Sequence, residues 1–282
     1  MTAGAPPLTW LYVPGDRPDR FGKAIASGAD IVIVDLEDAV APAHKNAARE
    51  NARALLAGPT ATPVEVRIND LRSPWGAADC AALGDAPGLR GVRVPKVESS
   101  ADVHAVVTAL RARHVPLHCL IETARGVEAA FAIARADPSV ERIGLGEADL
   151  RSDLGVSDDD GLLWSRSRIV VAARAAGLPA PAMSIHANVD DAEGLAASCR
   201  RGRTLGFLGR SAIHPRQLPI IVESFLPTDA EIAAARELLD ALDASERQGR
   251  GVAVLSDGRF VDRAMIEGAT RIVALAARRP ST

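Results

Sequence analysis

The sequence is poor in aromatic residues: one Tyr, three Trp and five Phe among 282 residues, 3% in all. Any core must therefore be filled by Val, Ile, Leu and Ala, and the 48% apolar content is enough for a large one. Cysteine is scarce too, and Cys80, Cys119 and Cys199 show neither metal nor redox spacing. The odd count, with no leader-like basic and apolar start in Met1–Pro7, reads as free thiols in a reducing compartment and predicts a soluble, cytoplasmic protein. No uninterrupted apolar run approaches the roughly 20 residues needed to span a bilayer. Net charge is −3 and no block of like charge occurs. General affinity for nucleic acid or an anionic membrane is thereby excluded, and an anionic ligand must be held by a local basic cluster.

What the chain does have is a rhythm. Short apolar runs recur eight times: Leu8–Val13, Ile31–Val34, Val64–Ile68, Val92–Val94, Leu117–Ile121, Ile143–Leu145, Met183–Ile185 and Thr204–Leu208. Helix-like stretches such as Lys45–Ala57, Ala101–Arg113, Glu128–Ala136 and Ser165–Ala176 separate them. The runs read as strands buried on both faces, joined by right-handed crossovers. Eight units in about 220 residues predict an α/β fold, a (β/α)8 TIM barrel whose interior is packed with branched side chains. An open parallel sheet is the alternative.

The barrel is expected over residues 1–227, and 228–282 as a small helix-hairpin-helix appendage serving as lid or oligomerisation segment. Thr228-Asp229-Ala230-Glu231 reads as a capping box opening a helix to about Leu242. A linker Ser245–Gly251, a hairpin around Asp257-Gly258 and a last helix Arg263–Arg278 complete it. Too small for an independent core, this piece is expected to pack on the barrel or a neighbouring subunit.

Polar residues follow the runs, and in a barrel the strand ends open onto one face. Glu122 and Asp149 lie just past adjacent strands. Two carboxylates on one rim make a hard oxygen site suited to magnesium, completed by water and substrate oxygens. The competing reading makes each a helix cap or an arginine partner. The absence of a His/Cys cluster argues against zinc. Asp35-Leu36-Glu37-Asp38 is expected to hydrogen-bond metal waters or to orient Arg67 and Lys96, with an N-cap for the helix near Lys45 as the alternative. Arg67 offers a planar fork for a carbonyl or carboxylate, and an ion pair with Glu37 or Asp38 is its competitor. Lys96 invites a Schiff-base reading, but a rim this acidic keeps the amine protonated, so charge balance is preferred. Arg17, Arg20 and Lys23 recur at helical spacing and suit phosphates, or an ordinary solvated face. His214 and His186 are as suited to orienting loops as to proton transfer.

With these residues assembled, the chain resembles the citrate lyase β-subunit-like family of the HpcH/HpaI aldolase group, from about Leu8 to Asp262. The resemblance rests on Tyr12-Val13-Pro14-Gly15, Asp35-Leu36-Glu37-Asp38-Ala39-Val40, Val66-Arg67-Ile68-Asn69, Pro95-Lys96-Val97-Glu98, Ile121-Glu122-Thr123-Ala124, Gly146-Glu147-Ala148-Asp149-Leu150 and Gly209-Arg210-Ser211-Ala212-Ile213-His214-Pro215. It implies a trimeric barrel that cleaves or forms a carbon–carbon bond in a 3-hydroxyacyl-CoA thioester, of malyl-, citramalyl- or citryl-CoA type, with Mg2+. Carried over by position, Glu122 and Asp149 hold the metal and the substrate. Arg67 contacts the reacting oxygens, with Glu37 beside it, while Tyr12, Arg17 and Lys23 line the coenzyme A side. Asp262 occupies the place of a carboxylate that reaches a neighbouring subunit's site as an acid/base. The stretch Pro181–Asn188 departs from the pattern, which lacks here an acidic residue and a following aromatic, so the acyl pocket differs. Competing functions are a thioesterase on the same substrates, a citryl-ACP lyase subunit working inside a citrate lyase complex, and a non-catalytic CoA-binding module.

Overall fold

In the computed structural model, residues 6–111, 114–247, 253–254, 260–261 and 265–279 are described. Seven strands form one sheet: β1 (Thr9–Pro14), β2 (Ile31–Asp35), β3 (Val64–Arg67), β4 (Leu89–Val94), β5 (Leu117–Ile121), β6 (Val140–Leu145) and β7 (Arg210–Ala212). Their order is β6-β5-β4-β3-β2-β1-β7 and every pairing is parallel. Helices lie between successive strands. This is an α/β, TIM-barrel-like fold, and its strands are too short to stand without the helices that cover them.

Two of the eight expected runs behave differently. Thr204–Leu208 is not a strand: the helix Ala192–Thr204 runs to its first residue, and the chain then turns through Gly206 and Gly209 at φ +96° and +80°. An added Cβ at Gly209 would sit 2.5 Å from the Leu8 carbonyl oxygen, so glycine is required by space as well as by backbone. The turn delays the strand to Arg210–Ala212, which pairs with β1. Met183–Ile185 makes a single parallel bridge, Met183 to Arg210. Pro179 and Pro181, just before it, have no N–H to give to a ladder.

The interior is also not what the composition suggested. Val32, Val34, Val64, Val66, Val92 and Val94 are buried, but they alternate with the residues that face inward. The inward set includes Trp10, Glu65, Arg93 and His118, all at most 5% exposed. Glu65 pairs with Arg93 at 2.8 Å, and the guanidinium carbons of Arg93 and Arg142 stand 5.9 and 5.4 Å from the Trp10 ring centroid. The valines thus hold strands to helices, while the space between strands is shared by this charged set and an apolar cluster of Trp10, Ile31, Ile33 and Ala182.

By its contacts the chain divides into two units, Pro7–Ser224 and one that takes in the C-terminal segment from Phe225. In the second, Thr228 and Glu231 form a reciprocal capping box: the Glu231 carboxylate accepts from Thr228 N at 2.8 Å, and Thr228 Oγ1 accepts from Glu231 N at 3.2 Å. The helix they open, Asp229–Arg247, runs past Leu242 and through Ser245 of the expected linker. Strands β8 (Ala253–Val254) and β9 (Phe260–Val261) pair antiparallel, and the last helix is Ile266–Ala276. This unit has a small apolar cluster of its own, built on Ala235, Leu238, Leu242, Val261 and Ala269. Among the described residues no helix is long and apolar enough to cross a membrane.

Candidate active site

Asp35 closes β2 and is in register with Arg67, the last residue of β3. That register makes a forked ion pair: Arg67 Nε donates to Asp35 Oδ1 at 2.7 Å and Nη2 to Oδ2 at 2.6 Å. The third nitrogen, Nη1, donates to Asp38 at 3.1 Å and lies 3.0 Å from Glu37 Oε2. The competing ion pairs named from sequence are therefore present together, around a guanidinium set 5.1 Å from the Tyr12 ring centroid. Burial opposes the Arg67 charge, but the Asp35 hydrogen bonds and charge outweigh it and hold the pKa high. Asp35 also accepts from the backbone N–H groups of Glu37 and Ala39, at 2.9 and 3.1 Å. It caps no helix; it shapes its own loop. Lys45 holds that loop from below, donating to the Leu36 and Glu37 carbonyls at 2.8 and 2.7 Å.

A second group of acids meets at Lys96. Glu122 is the residue after β5, and Asp149 lies in the first turn of the helix Glu147–Leu154 that follows β6. Lys96 Nζ is 3.3 Å from Glu122 Oε2 and 3.7 Å from Glu37 Oε1, and it is bonded to Asp149 Oδ2. Lys96 has φ +54°, a left-handed conformation that costs a non-glycine residue about 1–2 kcal/mol. Its backbone N–H donates to Glu122 at 3.2 Å, so the carboxylate that faces the amine also holds the strained backbone. Gly146 makes room for this carboxylate: a Cβ there would collide with Glu122 Oε1 and lie 2.5 Å from its Cγ.

These surroundings move the proton equilibria. Burial, only partly opposed by Arg67, raises the Glu37 carboxyl to about 8. Its Oε2 is buried with no hydrogen-bond partner among the described residues, because the nearby Arg67 nitrogen does not point its N–H at it. Burial raises Glu122 as well. Burial would depress Lys96, but the Asp149 hydrogen bond and the Glu122 and Glu37 charges prevail and raise it. A Schiff-base role needs a neutral amine, which this lysine does not supply.

The donor set fits magnesium by its chemistry. With Glu37 protonated near neutrality, Asp35, Asp38, Glu122 and Asp149 still outnumber Arg67, Lys96 and the Lys45 that holds the loop, an excess of negative charge that a divalent cation would neutralise. The point that Glu122 and Asp149 share is taken by the Lys96 ammonium, which a cation held between the two carboxylates would displace. Among the described residues no three of His, Cys, Asp or Glu form a ready-made cage. One or two carboxylates, with water and substrate oxygens, is nevertheless the usual magnesium arrangement.

Asp35, Asp38, Glu122, Asp149 and Arg67 line the mouth of a cavity of about 900 Å³, together with Tyr12 and Arg20. Arg17 and Lys23 do not line it: Arg17 is exposed and forked onto Asp19 at 2.9 and 2.8 Å, and Lys23 is exposed on the short helix Phe21–Ile25. His214 Nδ1 accepts from Arg216 N at 3.1 Å within its own loop, and His186, whose Nε2 meets Asp191 at 3.1 Å, also lines the cavity. Asp262 lies outside the described residues.

The ordered motifs that place these groups match the HpcH/HpaI aldolase/citrate lyase family model over residues 8–215. The chain belongs to that family. Among curated HpcH/HpaI relatives, it is 35% identical to the L-malyl-CoA/β-methylmalyl-CoA lyase of Cereibacter sphaeroides, over 93% of this chain and 92% of that one. It is 37% identical to the (3S)-malyl-CoA thioesterase of the same species, over 94% and 93%. Among solved structures, protein CitE from Mycobacterium tuberculosis, in complex with magnesium, acetoacetate and coenzyme A, is similar at 35% identity. That likeness has a TM-score of 0.80 and covers 98% of this chain and 99% of that one.

Sequence reasoning missed two groups in this HpcH/HpaI chain. Arg166, in the helix Leu163–Ala175, is buried and grips Glu147 at 2.8 and 2.6 Å, fixing the start of the helix that carries Asp149. The other is the charged floor of the cavity, Arg93 and His118, with Glu65 behind it. A period-two reading of Val64-Glu65-Val66-Arg67 and Val92-Arg93-Val94 was the available signal.

Proposed function

We propose that this protein is a magnesium-dependent carbon–carbon lyase acting reversibly on a 3-hydroxyacyl-CoA thioester of the malyl-, citramalyl- or citryl-CoA type. The observation that carries the reading is the convergence of Glu122 and Asp149 on the Lys96 amine, both carboxylates lining the cavity that Arg67 also lines. The relatives' activities and the coenzyme A and magnesium bound in the CitE structure support it. Met183–Ile185 would stand as the seventh of eight staves in a (β/α)8 barrel, between β6 and β7.

In the cleavage direction the substrate hydroxyl loses its proton and its carbon becomes the carbonyl of a 2-oxo acid. The adjacent C–C bond breaks, its electron pair passes to the thioester as an enolate, and a proton is then added at the enolate carbon. Glu122 and Asp149 would hold the cation, which when bound supplies Lewis-acid stabilisation of the reacting oxygens. Arg67, locked by Asp35, would present fixed positive charge to the developing enolate without reorganisation. Glu37 would keep Arg67 and Lys96 in place. Tyr12 would sit at the thioester, and Arg17 and Lys23, exposed on either side of Arg20 between β1 and the end of the helix Phe21–Ile25, would meet the coenzyme A phosphates. Asp262 from another copy in a homotrimer would return the proton.

The test is a screen of malyl-, methylmalyl-, citramalyl- and citryl-CoA with and without magnesium, with products read by mass. Acetyl- or propionyl-CoA plus a 2-oxo acid is expected. Free coenzyme A with an intact hydroxy acid would replace the lyase with a thioesterase, a reading that the malyl-CoA thioesterase relative favours. Turnover unchanged in excess chelator would remove the metal.

A further inference from the structure

The same cavity is lined by the small residues Gly144, Ala182 and Ser211 and by Arg93 and His118, which follow Arg67 in register across β4 and β5 and are termed its floor. Arg93 is 2% exposed. Its Nε donates to Glu65 at 2.8 Å and its Nη1 reaches Ser211 Oγ at 3.5 Å, but Nη2 has no hydrogen-bond partner among the described residues. His118 Nδ1, also buried, has none either. A guanidinium offers five N–H donors in a fixed fork, and leaving some of them unmet in a dry site is costly.

The charges here do not balance. Burial opposes the Glu65 charge, but Arg93 and His118 overcome it and hold Glu65 ionised, at about 2. Burial keeps His118 neutral, at about 4. Arg93 and Arg142, both against Trp10, share Glu65, while Glu141 beside Arg142 is paired with Arg90, so the cluster keeps an excess of positive charge. Water fills donors but cannot neutralise a buried charge; an anion does both. The floor is also close to the reaction centre, since the Arg67 and Arg93 guanidinium carbons stand 5.1 and 5.8 Å from the same Tyr12 ring.

We propose that Arg93 and Ser211 form a subsite for a second carboxylate on the oxo-acid half of the substrate, so that the preferred 2-oxo acid is dicarboxylic. The inference rests on the lyase reading above and narrows it to substrates whose hydroxyl-bearing carbon carries an acidic arm. Arg93 supplies charge and a fork, Ser211 a further hydroxyl, and the small side chains of Gly144 and Ala182 leave a path for the arm.

The test compares oxaloacetate with 2-oxobutyrate, which has the same four-carbon chain but ends in methyl. Affinities are measured by calorimetry with magnesium, on wild type and on Arg93→Met combined with Glu65→Gln, which removes both members of the buried pair. Wild type is expected to bind oxaloacetate at least about tenfold more tightly, as a site built for a polar group rejects its apolar analogue. In the double variant that ratio should fall to near one, and Ser211→Ala should lower it part of the way. A wild-type ratio near one overturns the subsite whether or not the variant folds, and so does a ratio that survives in a folded double variant. If lyase turnover is present and the preference absent, only this inference fails. If neither acid binds and the thioester screen is blank, the lyase reading falls with it.

Discussion

The mouth and the floor of one cavity are built on opposite principles. At the mouth, carboxylates outnumber cations and most groups have partners; at the floor, arginines outnumber carboxylates and donors are left open. One end is suited to a cation and the other to an anion, with a single tyrosine ring between their arginines. A hydroxy acid with a polar tail, chelating at one end and paired at the other, would be oriented by charge alone. The pairing of these unlike ends is a stronger statement about substrate than either end by itself.

The largest effect is expected at the mouth. Glu122→Gln should lower turnover by about 10²–10³-fold and weaken magnesium binding, read by steady-state rates over a magnesium titration. Turnover within tenfold of wild type would place the reaction elsewhere. Gly146→Ala keeps the carboxylate but pushes it aside. A misplacement of this size costs on the order of 10²-fold, and the loss should come without a change in melting temperature larger than a few degrees. An active Gly146→Ala enzyme would mean that the position of Glu122 is not critical.

The two ends should also differ in the pH range over which they affect stability. Glu37 titrates near 8 in the folded protein against 4.5 in an unfolded chain. Between those values the unfolded state gives up the proton and the folded state keeps it, so stability falls as pH rises. Glu37→Gln should flatten that fall in urea melts from pH 5 to 8, and an unaltered slope would show that Glu37 is not protonated in its site. His118 titrates near 4 folded against 6.5 unfolded, so its contribution is lost as pH falls through that window. His118→Asn should flatten the acid side only, and by less. Flattening on the alkaline side instead would reverse the assignment of the two ends.

Much of the mouth was legible because its residues interrupt apolar runs at their downstream ends, where a parallel sheet opens. Glu122 follows Ile121 directly, Arg67 follows Val66 near the end of its run, and Asp149 lies four residues past Leu145. The floor was not, because Arg93 and His118 sit inside their runs, and an embedded charge looks like noise when a strand is taken as buried on both faces. Only the alternation against Val92, Val94, Leu117 and Cys119 separates the two sides. Met183 and the strand after Gly209 were blurred for a different reason: prolines and left-handed glycines set the ladder, and apolar content does not report them. In the C-terminal unit Ser245 and Arg247 looked like linker, yet helical hydrogen bonding carries the segment through them.

Because the valines of β2, β3 and β4 point at the surrounding helices, the cohesion of this fold is spent on its outer shell. The hollow within keeps one apolar patch, around Trp10, Ile31 and Ile33, and is otherwise polar at Glu65, Arg93 and His118. Side chains lining it are free to be exchanged in matched pairs, acid with base, at small cost to folding. A scaffold arranged this way can change what it accepts while its outline stays the same, and its relatives should differ most where their strands face one another across the lumen.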